Sequence, residues 1–208
     1  MAGLTILGSG SKGNAIVIEG ENGSLLIDAG FSCTRTLAKL DECGVAADRI
    51  QAILVSHEHG DHVQGLGPVS RKLKIPVYCN RATGQYIRRK ELVKEALNVF
   101  AVGTPFTIGE FTVEPFSIPH DASDPVGFAI DNGHFRIGIA TDLGYASQVV
   151  AHHLRECDVL VIESNHDVEM LLNSSRPWSL KQRIRGRNGH LSNEDSMTLL
   201  KSVLHERT

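Results

Sequence analysis

Four side chains that can bind a metal ion directly follow one apolar strand, and this segment constrains the chain more than any other. Residues Ala52–Ser56 read AILVS, which is typical of a buried strand. The pattern H-x-H-x-D-H comes next and supplies His57, His59, Asp61 and His62. In an extended loop His57 and His59 point the same way, and after Gly60 turns the chain Asp61 and His62 can face a second point. Imidazole together with carboxylate suits Zn²⁺, Mn²⁺ or Fe²⁺, and two ions about 3.5–4 Å apart would fit this layout. The alternative is a solvated loop that is rich in histidine, but four such residues directly after an apolar strand favour a metal site.

The composition is that of an ordinary globular protein. Of 208 residues, 41% are hydrophobic and 22% are charged, which predicts one domain over residues 1–208 with a sizeable core. The net charge of -3 argues against a wholly basic nucleic-acid-binding protein, but it allows a local basic patch. No C-x-x-C pair, signal peptide or run near the ~20 apolar residues of a membrane span is present. We therefore expect a cytoplasmic protein without a membrane partner.

Short β-branched runs are mixed with helix-like stretches along the whole chain. This order predicts stacked sheets covered by helices, which is a mixed α/β fold. The predicted strands are Leu4–Leu7, Ala15–Glu19, Ser24–Asp28, Ala52–Ser56, Pro76–Cys79, Phe106–Ile108, Phe111–Phe116, Val126–Ile130, Phe135–Thr141 and Val159–Glu163. The predicted helices are Thr34–Leu40, Val63–Leu73, Arg81–Leu97, Tyr145–Arg155 and Ser192–Leu204, the last with Ser192 or Asn193 as its cap.

Further candidate ligands stand at the ends of predicted strands. Asp28 follows Leu25–Ile27, His120 follows the strand that begins at Phe111, and Asp142 follows the one that begins at Phe135. Each alone reads as a turn residue. Because α/β sheets gather ligands at the carboxyl ends of their strands, we expect the three to form one rim.

A glycine-rich loop near the start, Gly8–Gly13, matches the dinucleotide pattern G-x-G-x-x-G. That interpretation needs a helix next, yet the β-branched strand Ala15–Glu19 follows. The loop therefore joins two strands. Its residues Ser9, Ser11 and Lys12 either contact a phosphate group or only form a tight turn, and the sequence leaves these two roles open.

Taken together, these segments resemble the metallo-β-lactamase-fold hydrolases, and more closely the YycJ/WalJ branch. The resemblance covers essentially the whole chain and rests on Leu7–Asn14, Ser56–His62, Pro119–Pro125, Glu163–Asp167 and Gly189–Asn193. It implies an αββα sandwich with a metal centre at one edge of its sheets. Members of the branch are described as 5′ to 3′ exodeoxyribonucleases that prefer single-stranded DNA and are linked to DNA repair.

The resemblance also implies roles for single residues. His57, His59 and His120 correspond to ligands of a first metal, Asp61 and His62 to ligands of a second, and Asp142 to a carboxylate shared by both. Asp28 corresponds to a residue that orients the histidine loop. Two-metal members close the second site with a late histidine after a final strand. Because only His205–Thr208 follow the last predicted helix, we expect that strand to be missing and the second site to be incomplete, with His190 as the nearest substitute.

A basic segment near the C-terminus suggests a polyanionic substrate. Residues 176–190 contain no acid and include the only tryptophan, Trp178, with five cations: Arg176, Lys181, Arg183, Arg185 and Arg187. Cations with one aromatic ring suit a phosphate backbone and a stacked base, although a solvated loop is the alternative. We expect Arg183, Arg185 and His190 to contact substrate, as well as His166 at the predicted rim.

The chemistry predicted from these residues is metal-assisted hydrolysis of phosphodiesters, with Zn²⁺ or Mn²⁺ activating a water molecule. Asp61 would orient that water, and His190 or His166 would hold a phosphate oxygen or protonate the leaving group. One alternative is a small-molecule metallohydrolase such as a cyclic phosphodiesterase or a weak β-lactamase, since fold does not settle substrate. Another is a non-catalytic DNA-binding or regulatory module. The sequence leaves the oligomeric state open.

Overall fold

Apolar, β-branched runs form two sheets in the computed structural model, which describes residues 3–94, 97–206 and 208. Helices accompany both sheets, so the predicted mixed α/β fold class is confirmed. The chain divides into two compact units. The first comprises the chain through Thr112 together with Ala122–Asp124, and the second comprises Val113–Asp121 and the chain from Pro125 onward.

The first unit is built on a six-stranded sheet with the order β1-β2-β3-β4-β5-β6. Strands β1 to β3 pair antiparallel, and β3 to β6 pair parallel. Apolar residues of the helices, such as Leu40, Leu66 and Ile87, pack with Val17 and Ile53 of the sheet in one buried core. The elements are β1 (Gly3–Gly8), β2 (Ala15–Glu19), β3 (Ser24–Ile27), α1 (Cys33–Glu42), β4 (Ile50–Leu54), α2 (Gly60–Val63), α3 (Leu66–Leu73), β5 (Val77–Asn80), α4 (Arg81–Arg89), β6 (Leu97–Phe100) and β7 (Phe106–Ile108).

The second unit is built on a sheet in which the strands follow the order β11-β10-β9-β8. Strands β9 and β10 form the hairpin predicted around Asn132-Gly133, and β10 pairs parallel with β11. Phe116 and Ala140 of the sheet pack with Val150, Leu154 and Leu199 of the helices. The elements are β8 (Phe111–Ser117), β9 (Val126–Asp131), β10 (Arg136–Ala140), α5 (Gln148–Leu154), β11 (Val159–Ile162), α6 (Val168–Asn173), α7 (Trp178–Arg185) and α8 (Asn193–Val203).

One predicted helix is wrong in its second half. The helix predicted over Arg81–Leu97 ends at Arg89, Glu91 adopts a left-handed backbone with φ of 51°, and Leu97 begins β6 instead. Residues 95 and 96 of that prediction lie outside the described residues. Parallel pairing of Leu97–Phe100 with β5 overrides the helical composition, because contacts in the folded chain outweigh local propensity.

The helices are short and several begin with a side-chain cap. Ser192 caps α8 by accepting a hydrogen bond from the backbone N–H of Asp195 at 3.0 Å. Of the two predicted caps, Ser192 and Asn193, the first is therefore the one that the structure shows. The longest helix has 11 residues. Within the described ranges, none combines the length and apolar character needed to cross a membrane.

The imidazole of His153 on α5 gives the second unit a pH-dependent stability. Its ring stacks on Phe116 at 4.8 Å between centroids, and its side chain is only 16% exposed. Burial lowers the pKa of His153 below its ordinary value. Glu114, whose carboxylate lies 3.3 Å from Nδ1, partly offsets this, and His152 and Arg136 add to the lowering.

We therefore expect the free energy of unfolding to fall as pH drops below about 6.5. In that range the unfolded chain binds a proton on this imidazole more readily than the folded chain does, so protonation favours unfolding. Urea unfolding at pH 7.5 and pH 5.5 measures the difference. His153→Phe, which keeps the stack, should reduce the difference relative to the exposed control His134→Gln. Equal pH dependence in both variants would contradict the prediction.

Candidate metal centre

Parallel pairing brings the ends of β3 and β4 together. Ile27 pairs with Leu54, so Asp28 and Ser56 follow at the same sheet edge. The backbone N–H of Asp28 donates to the carbonyl of Leu54 at 2.8 Å, and Asp28 adopts a left-handed backbone with φ of 61°. Aspartate tolerates this conformation better than most residues do. The turn aims a buried carboxylate at the histidine loop.

That carboxylate holds the loop at both of its ends. One oxygen of Asp28 accepts the backbone N–H of Ser56 at 2.8 Å. The other accepts the hydroxyl of Ser56 at 2.7 Å and lies 2.8 Å from Nδ1 of His62. An acceptor at Nδ1 places the ring proton there and the lone pair on Nε2, which is the arrangement of a metal-binding histidine.

The imidazoles of the loop cluster beside this carboxylate. Nδ1 of His57 lies 3.0 Å from the hydroxyl oxygen of Ser56, whose own proton goes to Asp28. The His57 ring centroid is 4.6 Å from that of His59 and 4.0 Å from that of His62. His57 and His62 are buried, His59 is half-buried and the Asp61 side chain is 28% exposed. The loop is therefore buried and hydrogen-bonded around Ser56, His57 and His62, and its side chains are partly exposed to solvent at Asp61.

The glycine-rich loop lies beside the same residues. It connects the antiparallel strands β1 and β2, so the dinucleotide interpretation is excluded, as predicted. Ser9, Ser11 and Lys12 are exposed at its tip, and the residue that follows the loop, Asn14, contacts Asp61 and His62.

In the second unit, His120 and Asp142 stand at the ends of β8 and β10. Nδ1 of His120 lies 3.0 Å from the carbonyl oxygen of Gly189, and its Nε2 lies 3.9 Å from the Asp142 carboxylate. Asp142, like Asp28, has a left-handed backbone, with φ of 54°. Gly144 lets the next turn approach Arg187 closely, because any side chain at this position would clash with the carbonyl of Arg187.

Glu163, directly after β11, connects the residues around Asp142 and His190. Its oxygen Oε2 accepts the backbone N–H of Leu143 at 2.9 Å and that of Leu191 at 3.1 Å. Its oxygen Oε1 lies 2.7 Å from Nδ1 of His190. Asp142, Glu163 and His190 thus form one group whose ligand atoms lie within 4.8 Å of one another. Glu163 was not among the predicted site residues, although it shares the signal that identified Asp28 and Asp142, a carboxylate at the end of a strand.

The histidines of this unit have shifted pKa values. The hydrogen bond to Glu163 raises the pKa of His190, so its ring holds a proton more firmly than an ordinary imidazole. Burial lowers the pKa of His120 and of His166, which favours their neutral, ligand-competent forms. His166 is half-buried, and its carbonyl accepts the backbone N–H of Asn193 at 2.9 Å.

The basic segment is not one uniform charged patch. Lys181 is buried, and its ammonium donates to the carbonyls of Leu172 and Ser174, both at 2.6 Å, so it holds the end of α6. Arg183 donates to the carboxylate of Asp121 at 2.7 Å. Arg176 and Arg185 are exposed, as is Trp178 at 59%.

Arg187 lies over the ring of Tyr145, with 4.6 Å between the guanidinium carbon and the ring centroid. Tyr145 is 37% exposed and stands three residues after Asp142, and it was not among the predicted site residues. An exposed aromatic ring beside a guanidinium is suited to stacking on a nucleic-acid base.

In each unit, the described imidazoles and carboxylates are of the kind that binds a divalent transition-metal ion. His57, His62, His120 and His190 each have Nδ1 within 3.0 Å of a protein oxygen. That arrangement fixes ring orientation and directs Nε2 toward a ligand. Nitrogen ligands with added carboxylates favour Zn²⁺, Mn²⁺ or Fe²⁺ over Mg²⁺ or Ca²⁺.

Comparisons with known proteins agree with this chemistry. Residues 24–208 match the family model described as the beta-lactamase superfamily domain. The chain is 36% identical over 207 residues to exodeoxyribonuclease YycJ of Bacillus anthracis, covering 99% of this chain and 78% of that protein. It is also 36% identical over 208 residues to exodeoxyribonuclease WalJ of Streptococcus pneumoniae strain D39, covering 98% and 77%. Among solved structures, the metallo-beta-lactamase fold protein YhfI of Bacillus subtilis superposes with a TM-score of 0.75 at 19% identity, covering 96% of this chain and 80% of that one.

Proposed function

The chain belongs to the metallo-β-lactamase superfamily of metallohydrolases, close to the YycJ/WalJ exodeoxyribonucleases, and we propose that it hydrolyses single-stranded DNA from the 5′ end. The observation that carries this proposal is the histidine loop, whose imidazoles are oriented through Nδ1 by Asp28 and Ser56. Histidines held in this way are typical of metal ligands, which favours a metal-dependent activity. Identity to nucleases over nearly the whole chain favours a nucleic-acid substrate.

We assign the ligands as the family resemblance implies. His57, His59 and His120 would hold a first divalent ion, Asp61 and His62 a second, and Asp142 both, with Zn²⁺ or Mn²⁺ as the ions. When bound, such ions lower the pKa of a water molecule and neutralise charge on the phosphate. The Asp61 carboxylate, whose side chain is 28% exposed, would orient the attacking water.

His190 would supply the proton for the leaving oxygen. Its hydrogen bond to Glu163 raises its pKa and fixes the ring, so the imidazole holds the proton that it would donate more firmly than an ordinary histidine does. Transfer of that proton would complete cleavage of the P–O bond as the water oxygen bonds to phosphorus. His166, whose pKa is lowered by burial, would serve as a neutral hydrogen-bonding group for substrate.

DNA would be held by exposed side chains around these residues. We propose that Ser9, Ser11 and Lys12 of the glycine-rich loop contact a phosphate, and that Arg185 and Arg183 neutralise others. Trp178 and Tyr145 are exposed aromatic residues on which bases could stack, Tyr145 beside the guanidinium of Arg187. Arg183 has a second task, since it also neutralises Asp121 beside His120.

Degradation of end-labelled DNA tests the proposed activity. A 5′-phosphorylated single-stranded oligonucleotide with Mn²⁺ or Zn²⁺ should be shortened from its 5′ end, and faster than the duplex of the same sequence. Hydrolysis of cyclic nucleotides and of a β-lactam is measured in parallel. Faster turnover of one of these compounds than of DNA would favour the small-molecule hydrolase instead. Bound metal without turnover of any of these substrates would indicate a non-catalytic module and contradict the proposal.

Charge reversal of Arg185 tests the DNA-binding surface. We expect Arg185→Glu to weaken binding of single-stranded DNA and to reduce the slope of log affinity against log salt by about 0.7, the value for one lost phosphate contact. Fluorescence anisotropy across a salt series measures the slope. Lys201→Glu, an exposed charge reversal on α8, is the matched control. Equal slopes for the two variants would exclude Arg185 from the DNA contact.

A further inference from the structure

The amide of Asn14 is buried between the glycine-rich loop and the histidine loop. Asn14 is 9% exposed. Its nitrogen Nδ2 lies 2.9 Å from Nε2 of His62 and 3.2 Å from a carboxylate oxygen of Asp61. Its oxygen Oδ1 accepts the backbone N–H of Gly10 at 2.8 Å. One side chain therefore connects the tip of the glycine-rich loop with two residues of the histidine loop.

The hydrogen-bond network fixes which way this amide faces. The N–H of Gly10 is a donor and requires the oxygen of Asn14, whereas the Asp61 carboxylate is an acceptor and requires its nitrogen. At His62, Asp28 accepts the Nδ1 proton, so Nε2 carries a lone pair that accepts from Asn14. Both N–H bonds of the amide thus point at ligand atoms of His62 and Asp61.

We propose that Asn14 competes with the second metal ion for these two atoms. The inference rests on the proposed function, in which Asp61 and His62 are the ligands that belong to the second ion alone. Binding of that ion requires the Asn14 amide to leave Nε2 of His62. The contacts described for Asn14 are with Gly10, Asp61 and His62, so its amide competes at the ligands proposed for the second ion. Asn14 would thus make uptake of the second ion weaker than uptake of the first.

The same competition couples the second ion to the glycine-rich loop. When the amide moves, the N–H of Gly10 loses its acceptor, and the exposed residues Ser9, Ser11 and Lys12 lose one of the contacts that hold them. Occupancy of the second site would therefore change the mobility of the loop that we propose contacts phosphate.

Metal titration of the Asn14→Ala variant tests the competition without using activity. With Zn²⁺ and a competing chelator, we expect wild-type protein to bind one ion tightly and a second weakly. Because two hydrogen bonds no longer have to be broken, the second dissociation constant should fall about tenfold in the variant, which corresponds to about 1.4 kcal/mol. Asn98→Ala, an exposed amide on β6, should leave both constants unchanged. An unchanged or weaker second site in a variant that melts like wild type would overturn the proposal.

Hydrogen–deuterium exchange of the wild-type protein provides a measurement that does not depend on the variant folding. The second equivalent of Zn²⁺ should accelerate exchange in the peptide that contains Gly10, whereas the first should not. No acceleration at the second equivalent would also overturn the inference. If wild-type protein binds no ion and degrades no DNA, the proposed function fails; if it binds ions and degrades DNA without these changes, only the role of Asn14 fails.

Discussion

His59→Ala and Asp142→Asn should each reduce degradation of single-stranded DNA by more than about 100-fold. Changes to residues that only support a metal ligand already cost 10–100-fold, so loss of a ligand should cost more. Asparagine is the better replacement at Asp142 because it tolerates the left-handed backbone found there, whereas alanine would add strain. Initial rates with a labelled oligonucleotide, at saturating Mn²⁺, measure the loss.

Metal content separates a lost ligand from a misfolded chain. Purified His59→Ala protein should contain less metal than the wild-type protein does. Without metal, the two proteins should melt at the same temperature. His134→Ala, an exposed histidine in the β9–β10 turn, and Asp48→Ala, an exposed carboxylate, are the matched controls. Full nuclease activity in either ligand variant would show that the metal assignment is wrong.

Much of the fold could be predicted because the strands carry strong local signals. The β-branched runs at Ala15–Glu19 and Val159–Ile162 are bounded by turn residues and form strands at those places. The strand that the sequence did not reveal, β6, is an edge strand with two exposed positions, Asn98 and Val99, which weaken its apolar pattern. The short helices α6 and α7 were not predicted either. Its strand conformation is set by pairing with β5, and such long-range pairing is invisible in a window of adjacent residues.

Some residues of the candidate site could likewise be predicted from the sequence around them, whereas others depend on contacts with distant parts of the chain. Asp28 and Asp142 could be named because each follows a strand, and strand ends gather ligands. The role of Asn14 could not, because its contacts at Asp61 and His62 lie 47 and 48 residues away along the chain. Composition was misleading at Lys181, which counted as part of a basic patch, yet its ammonium is consumed by two backbone carbonyls.

The second large effect is expected at Glu163, where two substitutions separate two tasks. Glu163→Gln keeps an oxygen for the backbone N–H groups of Leu143 and Leu191, but its amide cannot accept from His190 as a carboxylate does. We expect kcat to fall by about 10–100-fold with little change in KM, because the proton-carrying imidazole loses its orientation while the DNA contacts stay. Glu169→Gln, an exposed carboxylate on α6, is the control.

Glu163→Ala should add a loss of stability that Glu163→Gln does not show. The N–H groups of the buried residues Leu143 and Leu191 would lose their acceptor, at a cost of about 1–3 kcal/mol in the free energy of unfolding for each unsatisfied group. Urea unfolding of both variants measures this difference.

A double-mutant cycle decides whether Glu163 acts through His190. If it does, Glu163→Gln should cost almost nothing further in kcat once His190→Ala is present, since the imidazole it orients is gone. Independent, multiplicative losses would instead mean that Glu163 acts on the reaction by another route, such as the position of Asp142 through Leu143. The Glu163 carboxylate contacts both His190 and the backbone of Leu143, next to Asp142. The size of the coupling between Glu163 and His190 therefore measures how much of the effect of Glu163 on kcat passes through His190 and how much through the position of Asp142.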